Sequence, residues 1–397
     1  MSKFINIEDL RRAAKWNMPK PMFDYVDGGA NAEWTMRENR TGFERITFDP
    51  RVLVDVSVRD QSTTVFGETL KTPIIIAPTG MTGIAWPNAE ILAARAAGRM
   101  GAGLALSTYA TCSIEDVAAA GPGPFWFQLY VSKDRAKTDE LVDRAQAAGY
   151  KALAITVDTQ VPSMRERDVR NGYSAPPRIT AANIADVAWR VGWLSRFIRG
   201  PRPAFRNFSG EVAFMPRQFV ELGQSLSRQM DSSLTWKDVE HFRARWKGPL
   251  LLKGVVSTRD VKTALEHGVN GFIVSNHGGR QLDFAPSSIE VLPEVVDACA
   301  GQAEVYLDSG IRRGSDVVKA VALGARAVLV GRPYVWALGA AGEAGADHMF
   351  RIFRDEIDRC LALIGVPRLS DVTREDLRTY PALTSRQKEA IPVAVRA

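Results

Sequence analysis

"GFIVSNHGGRQLD", residues 271–283, starts as a strand and ends as a site. Gly271 to Asn276 is a short apolar run with little polar alternation. Such a run suits a parallel strand covered on both faces. Two glycines then make a hinge that carries His277 and Arg280, and Asp283 closes the stretch. Seven further runs share the first half of the pattern: "TPIIIAPTG" (72–80), "GLALS" (103–107), "PFWFQLY" (124–130), "ALAITVD" (152–158), "PLLLKGV" (249–255), "AEVYLDSG" (303–310) and "AVLVGR" (327–332). Between most of them lie segments such as "AEILAARAAGRMG", "DELVDRAQAAG" and "SDVVKAVALGA". These have apolar residues at helical spacing and end at glycine. Eight strand–helix units predict a (β/α)8 barrel. A doubly wound sheet is the alternative, but neither GxGxxG nor GxxxxGK[ST] is present to support it.

Two stretches fall outside this rhythm. Residues 1–71 read as an amino-terminal region of helices and extended pieces ahead of a barrel spanning 72–397. Residues 159–235 interrupt the barrel after the fourth strand and are too long for an ordinary connection. Within them, 178–217 carries seven arginines (178, 190, 196, 199, 202, 206 and 217) against Asp186 and Glu211. Trp189, Trp193, Phe197, Phe205, Phe208 and Phe214 are interleaved. Ile184, Val187, Val191, Leu194 and Ile198 read as one apolar stripe, and Trp189, Trp193 and Phe197 as a second. This composition predicts a membrane-interface segment, with packing between subunits as the rival. Nucleic-acid binding is not expected, because stacking modules place their aromatics on a sheet or barrel face.

Composition agrees with a folded, water-soluble body: 46% hydrophobic and 24% charged residues, with a formal net charge of +6. No apolar run approaches the ~20 residues of a membrane-spanning helix. The first residues, "MSKFINIEDLRRAAK", lack the apolar core of a secretion signal. The expected location is therefore the cytoplasmic face of the inner membrane as a peripheral protein, or else the soluble cytoplasm. Cys112, Cys299 and Cys360 are far apart and form no CxxC, which suggests reduced core thiols.

Barrels of this kind keep their chemistry at the carboxyl ends of the strands. Those ends carry Pro78, Thr79 and Gly80; Ser107 and Tyr109; Gln128 and Tyr130; Thr156 and Asp158; Lys253; Ser275 and His277; Asp308, Gly310 and Arg312; and Gly331 and Arg332. A polar group at every strand end predicts a polar site at one mouth. The loops after strands seven and eight supply glycines and arginines suited to a phosphate dianion. Ser107, Gln128, Thr156 and Lys253 could face the polar edge of a ring joined to that phosphate, and flavin mononucleotide (FMN) meets both demands. Read alone, Lys253 would also suit a Schiff-base aldolase-type barrel. That alternative leaves His277, Arg280 and Asp158 without work.

"FDYVDGGA", "FQLY", "TVD", "SMRERD", "LLKG", "SNHGGRQLD", "DSGIRRGSD" and "GRP", in this order, resemble the FMN-dependent 2-hydroxy-acid oxidising family along nearly the whole chain. The resemblance implies bound FMN and, usually, a homotetramer. It implies that His277 is the catalytic base and that Asp158 orients and stabilises it. Arg280 and Arg165 would bind the substrate carboxylate, and Tyr25 and Tyr130 would hydrogen-bond the substrate. Lys253 would lie near the flavin's pyrimidine edge. Tyr109 stands where the family builds a pocket wall. Gly278 and Gly279 are expected to let the backbone approach flavin and substrate. Of the possible (S)-2-hydroxy acids, L-lactate is placed first and (S)-mandelate close behind. No haem-attachment motif is present, which leaves oxygen or a membrane quinone as acceptor. Gly80, where the family's oxidases tend to carry alanine, and the 178–217 segment favour quinone.

Overall fold

Eight parallel strands close on themselves in the computed structural model, which describes residues 4–172, 180–201, 204–208 and 229–379. In chain order they are β1 (Ile74–Ile76), β2 (Gly103–Ser107), β3 (Phe125–Leu129), β4 (Ala152–Thr156), β5 (Leu250–Val255), β6 (Gly271–Val274), β7 (Glu304–Asp308) and β8 (Val328–Val330). β8 pairs with β1, and each strand has two parallel neighbours, so no edge is left to cap. The fold is a (β/α)8 barrel, and the doubly wound alternative is excluded.

The apolar runs conceal a period of two. Ile75, Ala105, Trp126, Ala154, Leu251, Ile273, Tyr306 and Leu329 point inward and pack as one cluster. Their neighbours Leu104, Phe127, Leu153, Leu252, Phe272 and Leu307 point outward under the helices. Two residues further up, the inward positions of six strands are Ser107, Gln128, Thr156, Lys253, Ser275 and Asp308, all buried. The barrel interior thus changes from hydrocarbon to a polar ring at one level, and the site stands on that ring.

Residues 4–71 pack onto the barrel. A hairpin, Thr63–Val65 with Glu68–Leu70, places Phe66 against Trp126 and Tyr306 and plugs the amino-terminal end. Ile46–Phe48 pairs antiparallel with Leu377–Thr379. The helices Lys20–Asp27 and Trp34–Glu44 carry Tyr25 and Met36 to the opposite, carboxyl-terminal mouth. Cys112 and Cys299 are buried and Cys360 is half-buried; burial pushes the Cys299 thiol up to about 11 and the Cys360 thiol to about 12, which makes both poor nucleophiles.

Among its described residues, the interruption after β4 contains three helices, Glu166–Arg170, Ala181–Trp189 and Val191–Arg199. The apolar stripes expected there divide differently. Trp193 is buried and Phe197 stacks on it, while Val187 and Leu194 pack partly against the core. Ile184, Trp189, Val191 and Ile198 are left on the outside, each at least 60% exposed. The cause is a break at Arg190 (φ −91°, ψ 60°), which resets the helical phase between the two halves. Phe214, Glu211, Arg178, Arg202 and Arg217 lie outside the described residues. Among the described residues, no helix is long and apolar enough to cross a membrane.

Candidate active site

A cavity of about 210 Å³ opens at the carboxyl ends of the strands. His277 lines it and lies in the left-handed region (φ 58°), an uncommon conformation for a non-glycine residue. Its backbone N–H donates to Ser275 Oγ at 3.0 Å, and the next N–H, from Gly278, donates to Ser309 Oγ at 2.9 Å. The imidazole is held from both sides. Nδ1 lies 3.2 and 3.3 Å from the two Asp158 oxygens, and Nε2 lies 3.2 Å from the Tyr130 hydroxyl.

Two shifts make this histidine a base. Burial, then the Lys253 ammonium, holds its pKa below the ordinary 6.5, so the ring is neutral at pH 7. Burial would raise the Asp158 carboxyl, but His277 and Lys253 outweigh it and keep the carboxylate ionised. Nδ1–H therefore donates to Asp158, and the Nε2 lone pair accepts from Tyr130, whose phenol burial keeps protonated. Gly254 explains how Asp158 comes so close. β5 bulges there with φ 106°, and a Cβ would lie 2.5 Å from the Asp158 carboxyl carbon.

Arg280 and Arg165 form the second half of the site. Arg280 Nη1 donates to the carbonyls of Tyr25 and Gly28 at 2.7 and 2.9 Å. Its guanidinium lies 5.2 Å from the Tyr25 ring centre, and the Arg165 guanidinium lies 5.0 Å from the same ring. Asp168 pairs with Arg165 Nε at 2.9 Å and fixes its direction. Burial, then repulsion from Arg165, lowers the Arg280 pKa. Two crowded cations facing one cavity favour an arriving carboxylate.

The far end of the cavity suits a phosphate. Arg332 donates to the carbonyls of Gly278 and Gly28, each at 2.8 Å. Burial and the neighbouring guanidiniums push its pKa down to about 9, and burial with Arg40 nearby pushes Arg312 to about 10. An anion arriving beside them would raise both toward their ordinary values. Between these cations and His277, the polar ring presents Lys253, paired with Asp308 at 3.3 Å. Gln128 donates to Thr156 Oγ1 at 2.8 Å, but its buried Oε1 has no partner. A buried acceptor without a donor is costly. An N–H on a ring edge would satisfy it, so the residues present fit FMN at both the phosphate and the ring.

Most residues expected at the site line the cavity, including Tyr25, Pro78, Thr79, Gly80, Tyr109, Tyr130, Arg165, Lys253, Arg280, Asp308, Gly310, Arg312, Gly331 and Arg332. Ser107, Gln128, Thr156 and Ser275 lie in the ring beneath it, and Asp158 stands behind His277. Gly278 and Gly279 make close approaches within the chain itself. A Cβ on Gly278 would lie 2.7 Å from Arg332 Nη1, and one on Gly279 would lie 2.5 Å from the Met36 backbone nitrogen. Among the described residues, their close approach is to an arginine and a helix of this chain.

The profile of the FMN-dependent dehydrogenase family matches residues 14–379. This chain belongs to that family. It is 43% identical over 381 residues to glycolate oxidase 1 of Oryza sativa subsp. indica, covering 96% of this chain and 97% of the relative. The Spinacia oleracea glycolate oxidase is 42% identical over 372 residues, covering 94% and 95% of the two chains. Among solved structures, the monotopic membrane protein (S)-mandelate dehydrogenase superposes with a TM-score of 0.90 at 38% identity, over 95% of this chain and all of that one. The chain is thus an FMN-dependent oxidoreductase of 2-hydroxy acids. Within the family, the redox role leaves no place for the aldolase alternative.

Several cavity residues escaped the sequence reading. Met81 follows Gly80, and Phe205 and Met230 come from the interruption after β4. Gln281 Nε2 donates to the Asp158 carbonyl at 3.0 Å and steadies that loop. Gln281 lies inside a quoted motif and could have been found there. Nothing in local spacing ties Phe205 or Met230 to the site.

Proposed function

We propose that the chain oxidises an (S)-2-hydroxy acid with an apolar substituent at C2 and passes the electrons to a membrane quinone. The observation that carries the catalytic part is the neutral imidazole held between Asp158 and Tyr130 beside two guanidiniums. Arg280 and Arg165 bind the carboxylate, with Tyr25 between them. His277 Nε2 takes a proton from the substrate as C2 is oxidised, and Asp158 stabilises the imidazolium. When bound, FMN supplies the two-electron acceptor. Gln128, Lys253, Arg312 and Arg332 would hold it, and the Lys253 cation would favour its anionic reduced state.

Met81, Tyr109, Phe205 and Met230 give the cavity an apolar side. This supports L-lactate and (S)-mandelate ahead of glycolate, whose C2 carries only hydrogen. Glycolate is the second reading, favoured by identity to the plant oxidases. For the acceptor, a Cβ on Gly80 would lie 3.1 Å from Tyr109 Cβ, so alanine there would press on the pocket wall. The exposed face of Ile184, Trp189, Val191 and Ile198, flanked by arginines, supports peripheral attachment to the inner membrane, where the quinone is dissolved. The family resemblance supports a homotetramer.

The purified protein should be yellow and should bleach without oxygen on adding an (S)-2-hydroxy acid. Rates with glycolate, L-lactate and (S)-mandelate, each with a quinone analogue or oxygen, test the finer reading. Glycolate as the best substrate, or oxygen outpacing the quinone, would overturn it.

A further inference from the structure

A second concavity lies outside the barrel mouth, where the inserted helices meet the amino-terminal helix Ile7–Asn17 and the long helix Arg332–Ile364. Its walls are indoles and guanidiniums: Trp16, Trp86 and Trp189, with Arg190 and Arg196. Trp16 and Trp189 are 74% and 77% exposed, unusual for so large an apolar ring.

The floor is constructed. The long helix breaks at Ala341 and Gly342, and Gly342 sits at φ 60°. A Cβ there would lie 2.7 Å from the Trp86 indole, so the break and the glycine together seat Trp86. Asn17 Nδ2 donates to the carbonyls of Gly339 and Ala340 at 3.3 and 2.9 Å and satisfies groups the break would strand. Arg196 stacks 4.1 Å from the Trp86 ring centre, burial lowers its pKa, and its Nε has no hydrogen-bond partner.

The concavity also adjoins the flavin cavity. Val335 lines one and Ala340 the other. Five residues of helix separate them, about 7.5 Å along the axis. A second link of five residues runs through the loop after β1, where Met81 lines the flavin cavity and Trp86 the concavity. Trp193 Nε1 donates to Ile84 O at 2.7 Å within that loop. On its outer side, the concavity meets the exposed apolar face carrying Trp189 and Val191.

We propose that this concavity binds the head group of the quinone acceptor, an inference that rests on the quinone reading above. A planar ring stacks on indole faces, and guanidinium N–H groups suit its carbonyl oxygens and the charge that develops on reduction. The ring would enter from the bilayer side. It would take two electrons from the flavin reduced by the hydroxy acid and two protons from water to become quinol.

The test is photolabelling of the full-length holoprotein in detergent with an azido-substituted short-chain benzoquinone, followed by peptide mapping. Arg196→Gln and Trp189→Ala are then assayed with the unlabelled quinone. Label on peptides containing Trp16, Trp86 or Trp189 is expected. Both variants should raise the quinone KM at least tenfold while leaving flavin bleaching by substrate unchanged. Label elsewhere, with brisk quinone reduction, would overturn the site and leave the quinone reading standing. Wild-type protein that reduces no quinone faster than oxygen would overturn the reading itself. Loss of binding to anionic vesicles in Arg196→Gln with an unchanged quinone KM would make the concavity a lipid head-group site and overturn the proposal.

Discussion

The polar ring of the barrel and the interruption after β4 both contribute to one cavity, yet they are built on opposite terms. Ring residues are positioned by strand register. Ser107 stands beside Gln128 and Thr156 beside Lys253 because parallel pairing fixes them there. Among its described residues, the interruption has no ladder beyond the single Ser132–Met230 bridge. Its returning piece, Ala204–Phe208, is tied down by Asn207, whose side chain accepts from Ile114 N at 3.0 Å and donates to the Thr108 carbonyl at 3.1 Å. Those bonds help hold Phe205 at the pocket, where its ring meets Tyr109 edge-on. The flavin-facing polar groups sit where strand register dictates position, while the interruption supplies Arg165 for the carboxylate and the apolar wall through a few polar contacts.

If this division is correct, the largest losses belong to the barrel side. His277→Gln keeps the hinge and removes the base. Flavin reduction by substrate should slow roughly 10²–10⁴-fold, the range of a positioned general base. Anaerobic stopped-flow bleaching measures it, and a wild-type rate would give the proton transfer to another group. Arg280→Lys comes next. Lysine cannot offer a two-pronged donor to a carboxylate, and loss of a charge-assisted hydrogen bond of about 1.5–3 kcal/mol should weaken substrate binding by roughly 10- to 150-fold. Flavin content should be unaltered. A change confined to kcat, with KM intact, would mean that Arg280 does not hold the carboxylate.

The interruption should show smaller, selective effects. Phe205→Ala enlarges the apolar side of the pocket without touching His277. The ratio of kcat/KM for (S)-mandelate over L-lactate should change by about 1–3 kcal/mol, or roughly 5- to 160-fold, with flavin bleaching retained. An unchanged ratio would remove Phe205 from substrate recognition. Segment replacement sharpens the point. Exchanging 181–199 for a short linker should abolish membrane attachment and spare dye-linked oxidation. Extending the exchange through Phe208 also removes Asn207 and Phe205, and should alter the substrate ratio as well. Identical ratios for the two exchanges would show that the returning piece only fills space.

The same division explains what could be read in advance. The eight runs, the polar strand ends and the His277–Arg280 hinge follow local periodicity and turn chemistry, and all fall in the described barrel. The phase of the inserted helices did not, because one non-helical residue, Arg190, rotates everything after it. The partners of Gly278 and Gly279 were hidden because Met36 and Arg332 lie far away in the chain. Phe205 and Met230 were missed for that reason too. Their approach to the cavity depends on Asn207 and on the Ser132–Met230 bridge, contacts that no spacing announces.

The smallest expected effect is also the most exacting test of the barrel side. His277 acts only when neutral, and its pKa is held below 6.5 by burial first and by Lys253 second. Activity should therefore hold at neutral pH and fall in acid, with the acid limb of kcat/KM displaced below the ordinary imidazole value. Asp158 works in the opposite direction and raises the histidine's pKa. Asp158→Asn should therefore move the limb of the residual activity further into acid. Lys253→Met removes a charge that favours the neutral ring, so the limb should move toward neutral pH. The Lys253 variant also changes the flavin environment, so its profile is read on the fraction that retains FMN, quantified by absorbance. The two displacements must have opposite signs. If both variants shift the limb the same way, or neither does, the titration in that limb belongs to another group.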